Sequence, residues 1–249
     1  METLYSCEGT APVDLETSYQ HAIQEDYANN PNSGVSDRTK RSIGTHSKFW
    51  AQHRTLKISF LSEHTKFINL VKSTIELWTP HINLNIEFVE KTEAADIRIS
   101  DSKDLKGHWS NLGTDALSVP ADKPTMHFDI TETHSVSVWK SYILHEFGHA
   151  LGLEHEHQHP DANIDWVTPV VYRTYKEQSG WPQEQTYDNI FKKLDRSKTT
   201  SAPYDQKSIM HYSFPAPLIW DNIAIPPNFT LSEKDISFIR SIYPPKEQA

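Results

Sequence analysis

Residues 145–155 read His145-Glu146-Phe147-Gly148-His149-Ala150-Leu151-Gly152-Leu153-Glu154-His155. Imidazole nitrogens are good ligands for zinc, and residues four apart share one face of a helix, so His145 and His149 can present their rings to one ion. His155 lies about 15 Å further along an uninterrupted helix, too far to share that ion. The chain must therefore turn, and Gly152 stands where the turn is needed. Three imidazoles leave one position of a tetrahedral site open for water, as a catalytic zinc site requires. Glu146 would project beside the metal, where a carboxylate can take a proton from the activated water and pass it to a leaving amine. Zinc lowers the pKa of such a water from about 15.7 toward 7. In a chain of this composition the five fixed residues co-occur by accident on the order of once in 10⁴ chains, so the pattern is specific. The expected cofactor is one catalytic Zn²⁺. His157 and His159 are expected to be surface or supporting residues rather than ligands.

The hydrophobic pattern indicates which elements must hold these side chains. A helix from about Ser135 to Leu151 should carry His145, Glu146 and His149, with Val138, Trp139, Ile143, Phe147, Ala150 and Leu151 as its buried stripe. Leu56, Ile58 and Phe60 alternate with polar residues, as in a half-buried strand. Phe67, Val71, Ile75 and Trp78 recur at helical spacing and predict a helix from about Glu63 to Trp78, ended by Pro80. Alternation at Ile82, Leu84, Ile86 and Phe88, and at Ile97 and Ile99, predicts two more strands. Gly107 to Leu112 and Met126 to Ile130 are the expected fourth and fifth. A strand, a helix and then several strands indicate an α+β domain with helices packed on a mixed sheet. Beyond Pro160 the pattern is less regular until a closing helix at about Ser232–Ile242.

The 249 residues suffice for one large domain or two lobes around a cleft. The apolar fraction of 37% supports a packed core, but no run approaches the roughly 20 apolar residues of a membrane-spanning helix. A net charge of −9 with scattered lysines and arginines gives no basic face for nucleic acid. Cys7 is the only cysteine, so no internal disulfide can form and the fold must rest on its core and a metal. The first residues lack the basic and apolar regions of a secretory signal. Residues 1–42 are polar and contain a turn signal at Asn29–Gly34. They read as a pro-segment or extension ahead of a catalytic domain at 43–249. Lys40-Arg41 is either an ordinary charged loop end or a processing site.

The histidine segment resembles the long zinc signature of metzincins, and other motifs narrow the resemblance to the astacin-like group. Glu156 follows the third histidine, and Gln158-His159-Pro160-Asp161 matches the Gln-x-Pro-Asp stretch after it. Tyr204-Asp205-Gln206-Lys207-Ser208-Ile209-Met210-His211-Tyr212 is similar to that group's Met-turn. Gly107-His108-Trp109-Ser110 resembles its edge-strand region, and Leu231–Ile236 with Tyr243-Pro244 its closing helix. The resemblance covers roughly residues 43–244. Three departures stand out: no disulfide is possible, His159 stands where an arginine is common, and the Phe-x-Gly-Asp stretch of the family's pro-segment is absent.

The resemblance implies a two-lobed domain, 43–155 with the zinc helix and 156–249 with the Met-turn. Its sheet should have five mostly parallel strands and an antiparallel edge strand. It implies a zinc endopeptidase, expected to be monomeric, acting on protein or peptide substrates, and secreted or delivered into a host cell. Met210 would lie beneath the metal, Glu156 would be structural, and Tyr212 would serve as an additional ligand or oxyanion donor. The edge strand around Gly107, Trp109 and Ser110 would bind substrate by strand addition. Cys7, or alternatively Asp14, could occupy the open metal position in a latent form. No lysine or arginine falls between Ser208 and Glu233, which predicts acceptance of neutral or apolar rather than acidic residues just after the cleaved bond. The rival reading from another class is a catalytically silent zinc-binding interaction module, against which Glu146 argues.

Overall fold

The structure is a computed structural model that describes residues 13–30, 47–131, 134–195 and 203–245. Five strands form one sheet: β1 (Thr55–Phe60), β2 (Asn85–Phe88), β3 (Ile97–Ser100), β4 (His108–Ser110) and β5 (Met126–Phe128), in the order β2-β1-β3-β5-β4. All neighbours are parallel except β4 and β5, which run antiparallel at one edge. The α+β architecture with an antiparallel edge strand is the one expected. Leu56, Ile58, Ile97 and Ile99 are buried at the centre of the sheet. Arg98 is buried among them. Its guanidinium donates to the carbonyls of Lys123 (2.7 Å), Ala95 (2.9 Å) and Val119 (3.0 Å), which ties the loop leading into β5 to the segment just before β3.

Several elements are shorter than their hydrophobic pattern suggests. The second helix, α2, spans Thr65–Ile75 rather than reaching Trp78. Pro80 cannot donate to the helical ladder, and its ring excludes the carbonyl four residues back, so the chain passes into a short 3₁₀ turn at Thr79–His81. Ile82 and Leu84 are core residues but precede β2. Between them, Asn83 N–H bonds the carbonyl of Tyr243 (3.1 Å) instead of β1. Strand β4 loses both ends of its expected range, and β5 stops at Phe128, before an Asp129 turn closed by Thr131 N–H on Asp129 Oδ1 (3.0 Å).

The polar N-terminal stretch contains a helix that its pattern does not reveal, α1 (Leu15–Glu25). Ser18 and Ala22 of α1 are buried, and Ser18 Oγ donates to Asp115 (2.5 Å). Asn29, also buried, ties this segment to the catalytic lobe. Its amide donates to the carbonyls of Ala22 and Phe49 (both 2.8 Å), and its Oδ1 accepts from Ser47 Oγ (2.7 Å) and Phe49 N–H (3.2 Å). Asp14 is not a metal-blocking residue in this conformation. It is the N-cap of α1, accepting from the backbone of Glu16 and Thr17, and the hydrogen bonds from Thr17 hold its carboxyl below the usual range. Cys7 and Lys40-Arg41 lie outside the described residues.

Two buried clusters make the core. One joins the sheet to α2, to α3 (Val136–Ala150) and to the last helix, α6 (Glu233–Ile242), through residues such as Trp50, Trp78, Phe147 and Ile239. The other gathers Val171 and Tyr175 of α4 (Thr168–Ser179) with Trp181, Tyr212, Phe214 and Ile225. A one-turn helix, α5 (Gln183–Thr186), flanks it. The closing helix thus packs with the N-terminal core although it lies far from that core in sequence.

Candidate active site

Helix α3 is capped by Ser135 and buried over most of its length, including His145, Glu146, Phe147, Gly148 and His149. Its end is determined in detail. Leu153 N–H bonds the Gly148 carbonyl (2.9 Å) and Gly152 N–H bonds that of His149 (2.8 Å), the paired bonds of a Schellman motif. Gly152 sits at φ 94°, and a Cβ there would lie 2.7 Å from the Phe49 ring, so space and backbone both require glycine. Carbonyls left over at the helix end are taken up by side chains. Trp50 Nε1 donates to Ala150 O (2.8 Å) and Tyr243 Oη to Leu151 O (2.9 Å).

The turn brings His155 back onto the helix. Ligand atoms of His145, His149 and His155 all lie within 4.8 Å of one another, and the Nε2 atoms of His149 and His155 are 2.9 Å apart. Two nitrogens bound to one tetrahedral zinc ion are about 3.3 Å apart. The ring orientations suit this. His145 Nδ1 faces the Ile209 carbonyl (2.8 Å) and His149 Nδ1 the Leu153 carbonyl (2.7 Å). A carbonyl only accepts, so each Nδ1 carries the proton and each Nε2 presents a lone pair to the cluster. Burial, reinforced for His145 and His155 by the neighbouring rings, holds all three far below the usual imidazole range, with His149 at about 4. They are neutral at pH 7, the state in which imidazole binds metal. The donor set, its tautomers and its charge fit zinc.

The Met-turn segment lies against this helix. A Cβ on Gly148 would collide with Met210 Sδ, so the missing side chain is what lets the methionine pack under the zinc helix. Tyr212 is fully buried, with its ring 4.4 Å from that of His155 and 5.7 Å from that of His145. His157 is not a surface residue. It is fully buried and stacks on Tyr212 at 4.5 Å, with Nε2 2.9 Å from the Asn189 carbonyl. His159 is partly exposed, with its ring 6.1 Å from that of Tyr204.

Glu156 accepts from Asp205 N–H (2.6 Å) while its own N–H bonds the Met210 carbonyl (3.0 Å), so it joins the zinc-helix turn to the Met-turn. Burial pushes its carboxyl up to about 8. Asp235 is a functional residue that sequence reasoning misses, for it anchors the Met-turn. It accepts from Ser208 Oγ (2.6 Å), Ile209 N–H (2.8 Å) and Ser232 N–H (2.9 Å). Ser232-x-x-Asp235 is legible as a capping box, but the second duty toward residue 209 is not.

Strand β4 is the edge strand of the sheet, paired only with β5. Gly107 O accepts from Asp129 N–H (3.1 Å) and Asn111 N–H donates to Thr125 O (2.8 Å). By antiparallel alternation Gly107, Trp109 and Asn111 pair inward with β5, whereas His108 and Ser110 direct their main-chain groups toward the open edge.

The His108 side chain is buried against Tyr142 at 4.5 Å, and its Nδ1 accepts from Asp129 N–H (3.2 Å). Burial, aided by His134, pushes its pKa down to about 3 from an ordinary 6.5. The unfolded chain therefore binds the extra proton first as pH falls. The stability that neutral His108 contributes is fully present above pH 6.5 and is lost as pH falls toward 3. The stability difference between wild type and His108→Asn, from denaturant titrations, should shrink by up to about 3 kcal/mol between pH 7 and pH 4.

A cavity of about 440 Å³ opens beside His145, between α3 and residues 209–229. Its walls include Val138, Tyr142, Phe214, Ile225 and Phe229.

Comparison with known proteins agrees with this geometry. Residues 42–218 match the family model for the astacin peptidases. The chain is 30% identical over 181 residues to an astacin-like metalloendopeptidase of Gallus gallus, covering 72% of this chain and 39% of that protein. A zinc metalloproteinase of Caenorhabditis elegans, nas-5, is 29% identical over 167 residues, which is 66% of this chain and 40% of that protein. The chain thus spans about two fifths of these relatives. The structure of myroilysin superposes with a TM-score of 0.73 at 32% identity, covering 79% of this chain and 96% of that one.

Proposed function

From a chain that belongs to the astacin family of peptidases, we infer a zinc-dependent endopeptidase that hydrolyses peptide bonds in protein substrates. The observation that carries this reading is the cluster of three histidines whose ligand atoms all lie within 4.8 Å of one another, with Nδ1 of His145 and of His149 each held by a backbone carbonyl. His145, His149 and His155 would hold the ion. Zinc supplies Lewis acidity when bound there, acidifying water and polarising a carbonyl.

The remaining steps belong to the protein. Glu146 follows the first ligand on α3, and its carboxylate oxygen takes the proton of the attacking water and delivers it to the leaving nitrogen. Tyr212, beside His155 and His145, offers its phenol to the oxyanion that develops on the cleaved carbonyl. Met210 and Glu156 keep the turn and the helix in register. An extended substrate adds to the open edge of β4 through the main chain at Ser110. Residues 1–42 precede the catalytic domain, a division supported by a family match that begins at residue 42. Among the described residues no helix is long and apolar enough to cross a membrane.

The direct test is a casein digest. Cleavage should stop with a zinc chelator and return when zinc is restored. A folded, zinc-loaded protein that cleaves nothing would instead favour a zinc-binding interaction module.

A further inference from the structure

We propose that His157 is a positioning residue, whose ring is the flat wall that holds the Tyr212 phenol in place for the developing oxyanion. The proposal rests on the oxyanion role given to Tyr212 in the endopeptidase reading.

Three observations carry it. First, the two rings lie face to face. His157 is fully buried, its ring stands 4.5 Å from that of Tyr212, and the two planes meet at 23°. His155 also packs on the phenol, at 4.4 Å and 58°. A stacked neighbour blocks motion across the plane of the phenol and permits motion within it. The main chain of Tyr212 is fixed separately. His211 Nδ1 donates to the Tyr212 carbonyl (2.6 Å), and His211 Nε2 accepts from Tyr204 Oη (2.7 Å). A group aimed at reacting atoms works only when packing locks its rotamer to within about 0.5 Å of the productive position.

Second, His157 is itself anchored. Its Nε2 donates to the carbonyl of Asn189 (2.9 Å), in the π-helical turn Tyr187–Phe191 that follows α5. Continuing that turn would send Leu194 N–H to Asn189. Leu194 N–H instead bonds the Gln158 carbonyl (2.8 Å), which leaves that of Asn189 for the imidazole. The Gln158 amide donates to the carbonyls of Asp188 (2.7 Å) and Lys192 (3.1 Å), and Lys193 Nζ to that of His157 (3.0 Å). The segment 187–194 thus sets where the wall stands. Turns of this kind recur at functional sites.

Third, packing alone does not call for histidine here. Among the described residues Nδ1 of His157 has no hydrogen-bond partner, and burying a polar nitrogen in this way is costly. Leucine would fill the space without that cost but has no flat face. Phenylalanine has the face but no N–H for Asn189. Imidazole supplies both.

The experiment compares His157→Leu, which gives up the flat face, with His157→Phe, which keeps it, in the zinc-loaded protein. His157→Leu should lower kcat about tenfold, with KM within about twofold of wild type and zinc content unchanged. His157→Phe should stay within about threefold of wild type. Tyr212→Phe should lower kcat about 100-fold, as loss of an oxyanion donor does. Adding His157→Leu to Tyr212→Phe should cost less than about twofold more, because no hydroxyl is left to aim. Binding gives a second readout, with a peptide carrying a phosphinate in place of the scissile amide, whose oxygens mimic the oxyanion. Its calorimetric Kd should rise about tenfold in His157→Leu, while that of the parent peptide, measured in a Glu146→Gln background, should hold within about twofold. Equal effects of the Leu and Phe variants, additive losses in the double variant, or equal weakening of both ligands overturns the proposal. Wild-type kcat and phosphinate affinity in Tyr212→Phe would refute the oxyanion role of Tyr212 and the proposal with it. A zinc-loaded wild type that cleaves nothing would count against the endopeptidase reading, and the phosphinate comparison would still decide the role of His157.

Discussion

Replacing Glu146 with glutamine is expected to lower kcat/KM on a peptide substrate by about 10²–10⁴ while the zinc content stays at the wild-type level. The amide has nearly the shape of the carboxylate and sits at a fully buried position of α3, so packing is retained. Only the capacity to take a proton disappears. The measurement pairs steady-state kinetics with metal analysis of the same preparation. If Glu146→Gln retained wild-type kcat/KM with zinc bound, the carboxylate would not be the base. Loss of both zinc and activity would assign it a supporting role at the metal instead.

The second large effect concerns the metal and stability together. His149 occupies the middle of the cluster and also bonds the Leu153 carbonyl, the first residue past the glycine turn. In His149→Ala the zinc site loses a ligand and that carbonyl loses its partner, the latter costing about 1–3 kcal/mol before any metal is considered. Wild-type protein at zinc concentrations about 1,000 times its Kd should gain about 4 kcal/mol of stability, an increment that His149→Ala should lack. Thermal melts with and without zinc measure it. His157→Ala is the informative control, because it removes a buried imidazole that stacks on Tyr212 but lies outside the cluster. It should keep the zinc increment. Equal zinc stabilisation of His149→Ala and wild type would refute the assignment.

The site is legible because its chemistry is written locally. The pair His145 and His149 needs only helical spacing, and the need for a turn at Gly152 follows from the distance to His155. The hydrophobic alternation likewise marks the strands, since a half-buried strand repeats every two residues. What is not legible depends on partners distant in sequence. Nothing in Leu15–Glu25 announces that a weakly amphipathic helix will find Asp115 as a neighbour. His157 reads as either a surface or a supporting residue because polarity is the only guide, and its burial against Tyr212 and Asn189 decides for the second. The inward and outward residues of β4 escape the sequence for a related reason. Register is a property of two strands, and β5 sets it through Thr125 and Asp129.

The phenol of Tyr243 has a consequence for timing. It accepts from Trp50 N–H (3.1 Å) and donates to the Leu151 carbonyl (2.9 Å), linking three points of the chain at the end of the zinc helix. Asp235 does the same for the residue whose carbonyl orients His145. These contacts form only after the C-terminal segment has been synthesised and docked, and contacts between residues so far apart in sequence form slowly. A nascent chain that has emerged through His155 carries the three clustered histidines and Glu146 but lacks the clamps that set their spacing. The spacing of the three histidine rings is therefore completed only once residues 235 and 243 have docked.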